Sequence, residues 1–309
     1  MTTQSPTETS SATTGSACSN ICSDLSALTP EPLPGSARTA GMFVCLEFLH
    51  GWGHDVLDGE ALGEELSAAL KAKLAPVKGA LQLIRKPGRA GQHRQTRRAY
   101  LIWPELAIAE AYETESPEDI LDLDFSGPGK NPGGVEVTEP FLLMCTHGKR
   151  DKCCATKGRP IAAAMQACFY GDEVWESSHV KGHRFAPAAI LMPWGYSYGR
   201  LSAGEYIDVV KEARQGRLVT KGNRGRAIYG AGAEAAELAV AAISQEPIGS
   251  LQVSEISPEL FRVESTAPAG RTWQVSLEWR TVEGVVASCG KAPKPGRAPF
   301  VVGVREGVE

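Results

Sequence analysis

Five residues of metal-binding type, Cys145, Cys153, Cys154, His179 and His183, fall within one stretch, Glu139 to Leu201. Cys145 and Cys154 stand in a C-x8-C spacing, and His179 and His183 in H-x3-H. Soft thiolates combined with imidazoles suit zinc or an iron-sulfur centre and argue against calcium or magnesium. Cys153 adjoins Cys154 and points elsewhere in extended or helical backbone. Only one of the two is therefore expected to serve as a ligand, and the expected set is Cys145, Cys154, His179 and His183.

The residues alone leave several chemistries open. One is a [2Fe-2S] cluster held by two cysteines and two histidines, as in Rieske centres. Another is zinc on the same four residues, giving a zinc-stabilised structural or interaction domain. H-x3-H suits zinc, but structural zinc sites place the first cysteine pair two to four residues apart. The polar loop THGKRDKC is roomier than that and suits a larger dinuclear centre. The third reading is thiols and loop histidines with no metal. A thiol oxidoreductase using Cys153 or Cys154 would lack the C-x-x-C arrangement of such enzymes.

The elements that must position these residues follow from pattern. Residues 1–17 are Ser/Thr-rich, with almost nothing to bury, and read as a disordered tail. Met42 to Leu49 is a compact apolar run of strand length, and Asp58 to Ala75 an amphipathic helix with Leu62, Leu66, Leu70 and Leu74 at i+4 steps. Leu81 to Lys86 and Arg98 to Trp103 read as two further strands, and Ala107 to Asp124 as acidic and less regular. Gly/Pro-rich Ser126 to Val137 marks an internal boundary. The order then begins again: PFLLMC as a strand, Lys157 to Cys168 as a helix, and EVWESSHV as a third element. Two strands meeting around Pro193 to Gly195 follow, then helices at Ala203 to Gln215 and Gly232 to Ile243.

This order predicts an α/β protein of two related thioredoxin-like halves plus a small C-terminal β appendage. The expected divisions are a tail 1–17, an N-terminal half 18–125 without a cluster, a linker 126–137, a half 138–247 carrying the metal site, and a β-rich appendage 248–309. The appendage is expected from short β-type runs such as LFRVES, WQVSLEW and FVVGVRE.

Composition is that of an ordinary globular protein of 309 residues. A formal net charge of -4 gives no electrostatic reason to expect nucleic acid or an anionic membrane surface as partner. No apolar run approaches the roughly 20 residues of a membrane span, and the N-terminus lacks the basic and apolar regions of a secretory signal. The expectation is a cytoplasmic protein whose eight cysteines are mostly reduced.

Other candidates receive plainer readings. Cys18 and Cys22, at C-x3-C spacing, are read as unrelated thiols outside the site, and Cys289 as structural or incidental rather than catalytic. His147 and Lys152, in the ligand loop, are read as solvated, and His50 and His54 as part of a turn around Trp52. Trp175 and Trp194 flank the site as core residues. The basic segment with Arg85, Lys86, Arg89, His93, Arg94, Arg97 and Arg98 is read as a solvated hairpin loop, or alternatively as a docking patch for an acidic redox partner.

The stretch CTHGKRDKCCATKGRPIAAAM, with VWESSHVKGHRFAPAAILMPWGYSYGRL, resembles the sucrase/ferredoxin-like family of thioredoxin-like bis-histidinyl ferredoxins. The similarity extends from CSDLSALTPEPLPGSA through GWGHDVL and LIRKPGR to SCGKAPKP. The resemblance implies a thioredoxin-like fold and a [2Fe-2S] cluster on C-x8-C followed by His-x-Gly-Gly-His. That pattern carries over to Cys145, Cys154, His179 and His183. Lys181 stands where the pattern has its first Gly, while Gly182 is kept. A non-enzymatic electron carrier or redox sensor with a protein redox partner is the expected function. The sucrose cleavage suggested by the family's name finds no support in Glu60, Glu64, Glu65, Glu110 and Glu113. These fall where a solvated helix or loop face would put them, not as the carboxylate pair of a glycosidase.

Overall fold

A computed structural model describes residues 21–88, 96–268 and 270–307. The tail 1–17, Cys18, Arg89, His93 and Arg94 lie outside the described residues. The chain opens with helix α1 (Cys22–Ala27), strand β1 (Met42–Glu47), helix α2 (Glu64–Leu74) and strands β2 (Gly79–Arg85), β3 (Arg97–Trp103), β4 (Ile108–Thr114) and β5 (Val135–Glu136). Strand β6 (Phe141–Cys145), helix α3 (Lys152–Gln166) and strands β7 (Val174–Ser177), β8 (Ala188–Met192) and β9 (Tyr196–Gly199) follow. After them come helix α4 (Ala203–Arg214), strand β10 (Asn223–Arg226) and helix α5 (Ala231–Ser244). Strands β11 (Leu251–Ser257), β12 (Leu260–Ser265), β13 (Thr272–Val285) and β14 (Lys294–Glu306) end the chain.

The strands form a ten-stranded mixed sheet in the order β10-β9-β8-β6-β7-β2-β1-β3-β4-β5 and a separate four-stranded antiparallel sheet, β11-β12-β13-β14. One set of pairings occurs twice in the large sheet. β1 and β2 are parallel across α2, with β3 antiparallel to β1 and β4 antiparallel to β3. Likewise β6 and β7 are parallel across α3, with β8 antiparallel to β6 and β9 antiparallel to β8. The two sets meet where β2 pairs with β7.

Strand alternation divides the core. Met42, Val44 and Leu46 face α2, whereas Phe43 and Cys45 face the opposite way. Leu142 and Met144 likewise pack with α3 and α4, while Phe141, Leu143 and Cys145 join Phe43 and Cys45 in one shared core. Tyr100 on β3 touches Phe141 on β6 with ring centroids 5.0 Å apart, although β7, β2 and β1 lie between them in the sheet. The sheet is therefore curled, and Cys145 sits at the end of a strand lining its inner face.

Elements α1, β5 and β10 lie outside the expected set, and three others differ from expectation. The helix expected from Asp58 begins at Glu64, because Asp58 accepts the Asp55 and Glu60 N–H groups in a turn and Gly63 adopts φ +78°. The stretch read as less regular contains β4, whose IAEAYET buries Ala109, Ala111, Tyr112 and Thr114 and presents Glu113 to solvent, so its hydrophobic signal is weak. Helix α3 starts at Lys152, five residues before the expected Lys157, because the Asp151 side chain caps it by accepting the Cys153 N–H at 3.2 Å. Cys153 and Cys154 therefore lie on the first helical turn.

Helix α5 packs on the small sheet through Ala235, Ala236 and Val240 against Phe261, Val263 and Trp273. The turn after β13 reaches back to the start of α3, where Cys289 N–H donates to Asp151 Oδ2 at 2.9 Å. None of the described helices is long and apolar enough to cross a membrane.

Candidate metal centre

Cys145 closes β6, Cys154 lies in the first turn of α3, His179 follows β7, and His183 opens a short 3-10 turn, His183–Phe185. Contact between β6 and α3 depends on Gly158, where any Cβ would overlap the Cys145 carbonyl oxygen. This close approach brings the strand end and the helix start together. The ligand atoms of Cys145, Cys154 and His179 all lie within 4.8 Å of one another.

Cys145 Sγ is 3.8 Å from His179 Nδ1, and His179 Nε2 is 3.2 Å from His183 Nδ1. The two imidazoles are tilted neighbours with centroids 5.0 Å apart. His183 falls outside the compact three-residue group and is reached through His179. The arrangement is a pair of buried thiols beside a pair of half-buried imidazoles.

Burial opposes ionisation of Cys145, but hydrogen bonding from Cys154 and His179 outweighs it and holds this thiol well below the usual range. Cys154 moves in the opposite direction because it donates to Cys145 and Cys153 and is buried. Desolvation depresses His183, and neighbouring His179 adds to the effect. Deprotonated thiol and neutral imidazole, the directions in which Cys145 and His183 are moved, are the forms that bind a soft metal.

The histidine loop carries the departure at Lys181. Lys181 has φ +66° and Gly182 φ +78°, so a non-glycine residue occupies left-handed backbone. Its carbonyl accepts from Arg224 Nη1 at 3.2 Å. A cleft lined by Arg38, His54, Asp55, His147, His179 and Lys181 opens beside the imidazoles. The Lys181 ammonium is depressed by burial and then by Arg38 and Arg150, with Asp55 in the same cleft opposing them.

The two cysteines of the Cys153–Cys154 step face different groups. Cys154 joins Cys145 and His179, whereas Cys153 Sγ lies 3.3 Å from Cys22 Sγ. The second group also holds Asp151 and Cys289, all four ligand atoms lying within 4.8 Å. Sequence reasoning missed this group because its members come from three distant segments with no shared spacing.

The remaining candidates are accounted for by their neighbours. His147 is buried rather than solvated: its Nε2 lies 2.6 Å from the Gly53 carbonyl, its ring meets Trp52 edge-on, and burial lowers its pKa. It ties the ligand loop to the Trp52 turn. Lys152 is exposed, His50 packs on Phe48, and His54 Nδ1 lies 3.1 Å from Arg150 Nη1. Trp175 is fully buried in the inner core, and Trp194 is half-buried. Arg85 pairs with Glu176 at 2.9 Å, and Lys86 and Arg98 with Asp172 at 3.5 and 4.0 Å.

A family profile described as sucrase/ferredoxin-like matches residues 33–225, more than half of the chain and including Cys145, Cys154, His179 and His183. The chain belongs to the sucrase/ferredoxin-like family. No curated protein and no solved structure matches it. Membership suggests a ferredoxin-like role, and the Cys/His grouping supplies residues able to hold a metal. Cys22 and Cys289 lie outside the span matched by the family.

Proposed function

We propose that this sucrase/ferredoxin-like protein is a one-electron carrier or redox sensor holding a [2Fe-2S] cluster on Cys145, Cys154, His179 and His183. The observation that carries this reading is the side-by-side placement of a thiol pair and an imidazole pair, with His183 outside the compact group. Zinc–ligand bonds of about 2.0–2.3 Å in a tetrahedron would draw all four ligand atoms to within about 3.3–3.8 Å of each other. A set that extends through His179 to His183 fits a longer, dinuclear centre better.

A cluster so bound supplies one-electron chemistry, at a higher potential than an all-thiolate centre because neutral imidazoles replace two anionic ligands. The protein's own residues set its surroundings. Cys145 and Cys154 are buried, so the thiol side is dry, while His179 borders the cleft and offers the exchange route. The Arg38 and Lys181 rim of that cleft favours an acidic protein partner by charge complementarity. His183 Nε2 faces Asp151 Oδ2 at 3.5 Å, so a proton held there has a carboxylate beside it. A cluster held here would couple electron transfer to protonation at His183, and its midpoint potential would then depend on pH.

The repeated pairings β2-β1-β3-β4 and β7-β6-β8-β9 support two thioredoxin-like halves, 18–125 and 138–247, the second carrying the cluster. We place the protein in the cytoplasm, where its thiols remain reduced.

Iron and sulfide analysis of anaerobically purified protein, with EPR of the dithionite-reduced form, tests the assignment. Two irons and two sulfides per chain and a reduced-state EPR signal are expected. A colourless preparation with one zinc bound through Cys145 and Cys154 would overturn it in favour of a zinc-stabilised interaction domain.

A further inference from the structure

We propose that Cys22, Cys153 and Cys289, with Asp151, form a second and mononuclear metal site that takes one zinc-class divalent cation and fastens both ends of the chain to the first site. Cys22 Sγ lies 3.3 Å from Cys153 Sγ and 3.6 Å from Cys289 Sγ. Asp151 Oδ1 is 3.0 Å from Cys153 Sγ and 3.8 Å from Cys22 Sγ. A tetrahedral zinc with bonds of about 2.0–2.3 Å needs ligand atoms about 3.3–3.8 Å apart. Unlike the Cys145 group, all four members of this set fall within one 4.8 Å span.

The surroundings are those of a built site. Cys22 and Cys153 are fully buried, and Asp151 is 5 % exposed. An ionised carboxylate has about four lone-pair positions. Three of them on Asp151 are taken by firm donors: the Cys153 N–H at 3.2 Å, the Ser288 hydroxyl at 2.8 Å and the Cys289 N–H at 2.9 Å. These are the outer hydrogen bonds that orient a ligating carboxylate, and one position remains on the side of the sulfurs. A disulfide would use two of the thiols and leave the third packed beside the carboxylate. A soft divalent cation uses all three, each thiol releasing its proton as the metal enters.

The site sits against the first. Cys153 Sγ donates to the His183 carbonyl at 3.1 Å, and Asp151 Oδ2 lies 3.5 Å from His183 Nε2. Cys22 comes from α1 and Cys289 from the turn between β13 and β14, so a cation here cross-links three segments distant in sequence. The inference does not depend on which metal occupies the first site.

The test uses the full chain, produced with zinc available and purified anaerobically with reductant and without chelator. Native mass spectrometry and elemental analysis should find one zinc per chain, absent from Cys22→Ser and Cys289→Ser but kept in Cys145→Ser, which loses iron. Metal-stripped Cys145→Ser titrated with cobalt(II) should develop thiolate-to-cobalt absorption that one equivalent of zinc abolishes. If the serine variants do not fold, wild-type protein purified without reductant and alkylated before reduction still decides. A disulfide joining Cys22 to Cys153 or Cys289, or iron-loaded protein with no zinc and all three thiols alkylated, would overturn this inference and leave the iron-sulfur reading standing. Zinc retained in Cys22→Ser but lost in Cys145→Ser would place the cation at the first site and overturn both.

Discussion

Gly158 lies against the carbonyl of Cys145 so closely that no side chain can stand between them. Ordinarily, replacing a helical glycine by alanine stabilises by about 1 kcal/mol. Here the added Cβ meets backbone, and overpacking of this kind costs about 1–3 kcal/mol. Gly158→Ala is expected to lower the thermal midpoint and to weaken metal retention together, because β6 and α3 must part where Cys145 and Cys154 meet. A variant more stable than the parent would show that this contact does not hold the two elements together.

The histidine loop predicts opposite outcomes for two neighbours. A Cβ on Gly182 would overlap the Arg224 guanidinium, which is fully buried and also held by Ser36. Gly182→Ala should therefore cost about 3 kcal/mol. Lys181→Gly relieves a left-handed backbone cost of about 1 kcal/mol and gives back about 0.4–1 kcal/mol in unfolded-chain freedom, so its denaturation midpoint should stay near the parent's. The same change removes a cation from the cleft rim and should lower the midpoint potential. An unchanged potential would exclude Lys181 from tuning the centre.

Much of this arrangement was legible because it is local. The apolar run ending at Cys145, the hairpin around Pro193 to Gly195 and the capped helix at Ala203 each announce themselves within a few residues. The start of α3 was not, since it depends on Asp151 folding its own side chain back onto the Cys153 N–H. Nor was β4, whose buried residues include two alanines and a threonine and whose sequence carries two glutamates. Cys22 and Cys289 were the hardest to place. Their partners lie 131 and 267 residues away along the chain, and contact between chain ends leaves no periodic mark on sequence.

Adjacent cysteines facing different groups give a clean contrast. Cys154→Ser should abolish iron binding, because Cys154 joins Cys145 and His179, while Cys153→Ser should retain it. Iron content and visible absorption of the two variants check this. Iron lost from Cys153→Ser and kept in Cys154→Ser would reverse the ligand assignment.

A pH dependence should arise away from the metal centre, at Glu237. This carboxyl is fully buried, and burial pushes its pKa up to about 7, against the opposing influence of Arg226 and of Tyr196, whose hydroxyl donates to it at 2.7 Å. Glu234, also buried, is pushed up to about 8. A carboxyl whose folded pKa lies above its unfolded value binds its proton more tightly in the folded state. Stability is then greatest below the unfolded value, falls as pH rises through the interval up to the folded pKa, and levels off above it. For Glu237 the interval runs from about 4.5 to about 7, a loss on the order of 3 kcal/mol at 1.36 kcal/mol per pH unit. Glu237→Gln keeps an acceptor for Tyr196 and removes the titration. Urea midpoints measured from pH 5 to pH 8 should decline more gently in the variant than in the parent, and parallel profiles would show that Glu237 is not protonated in the fold.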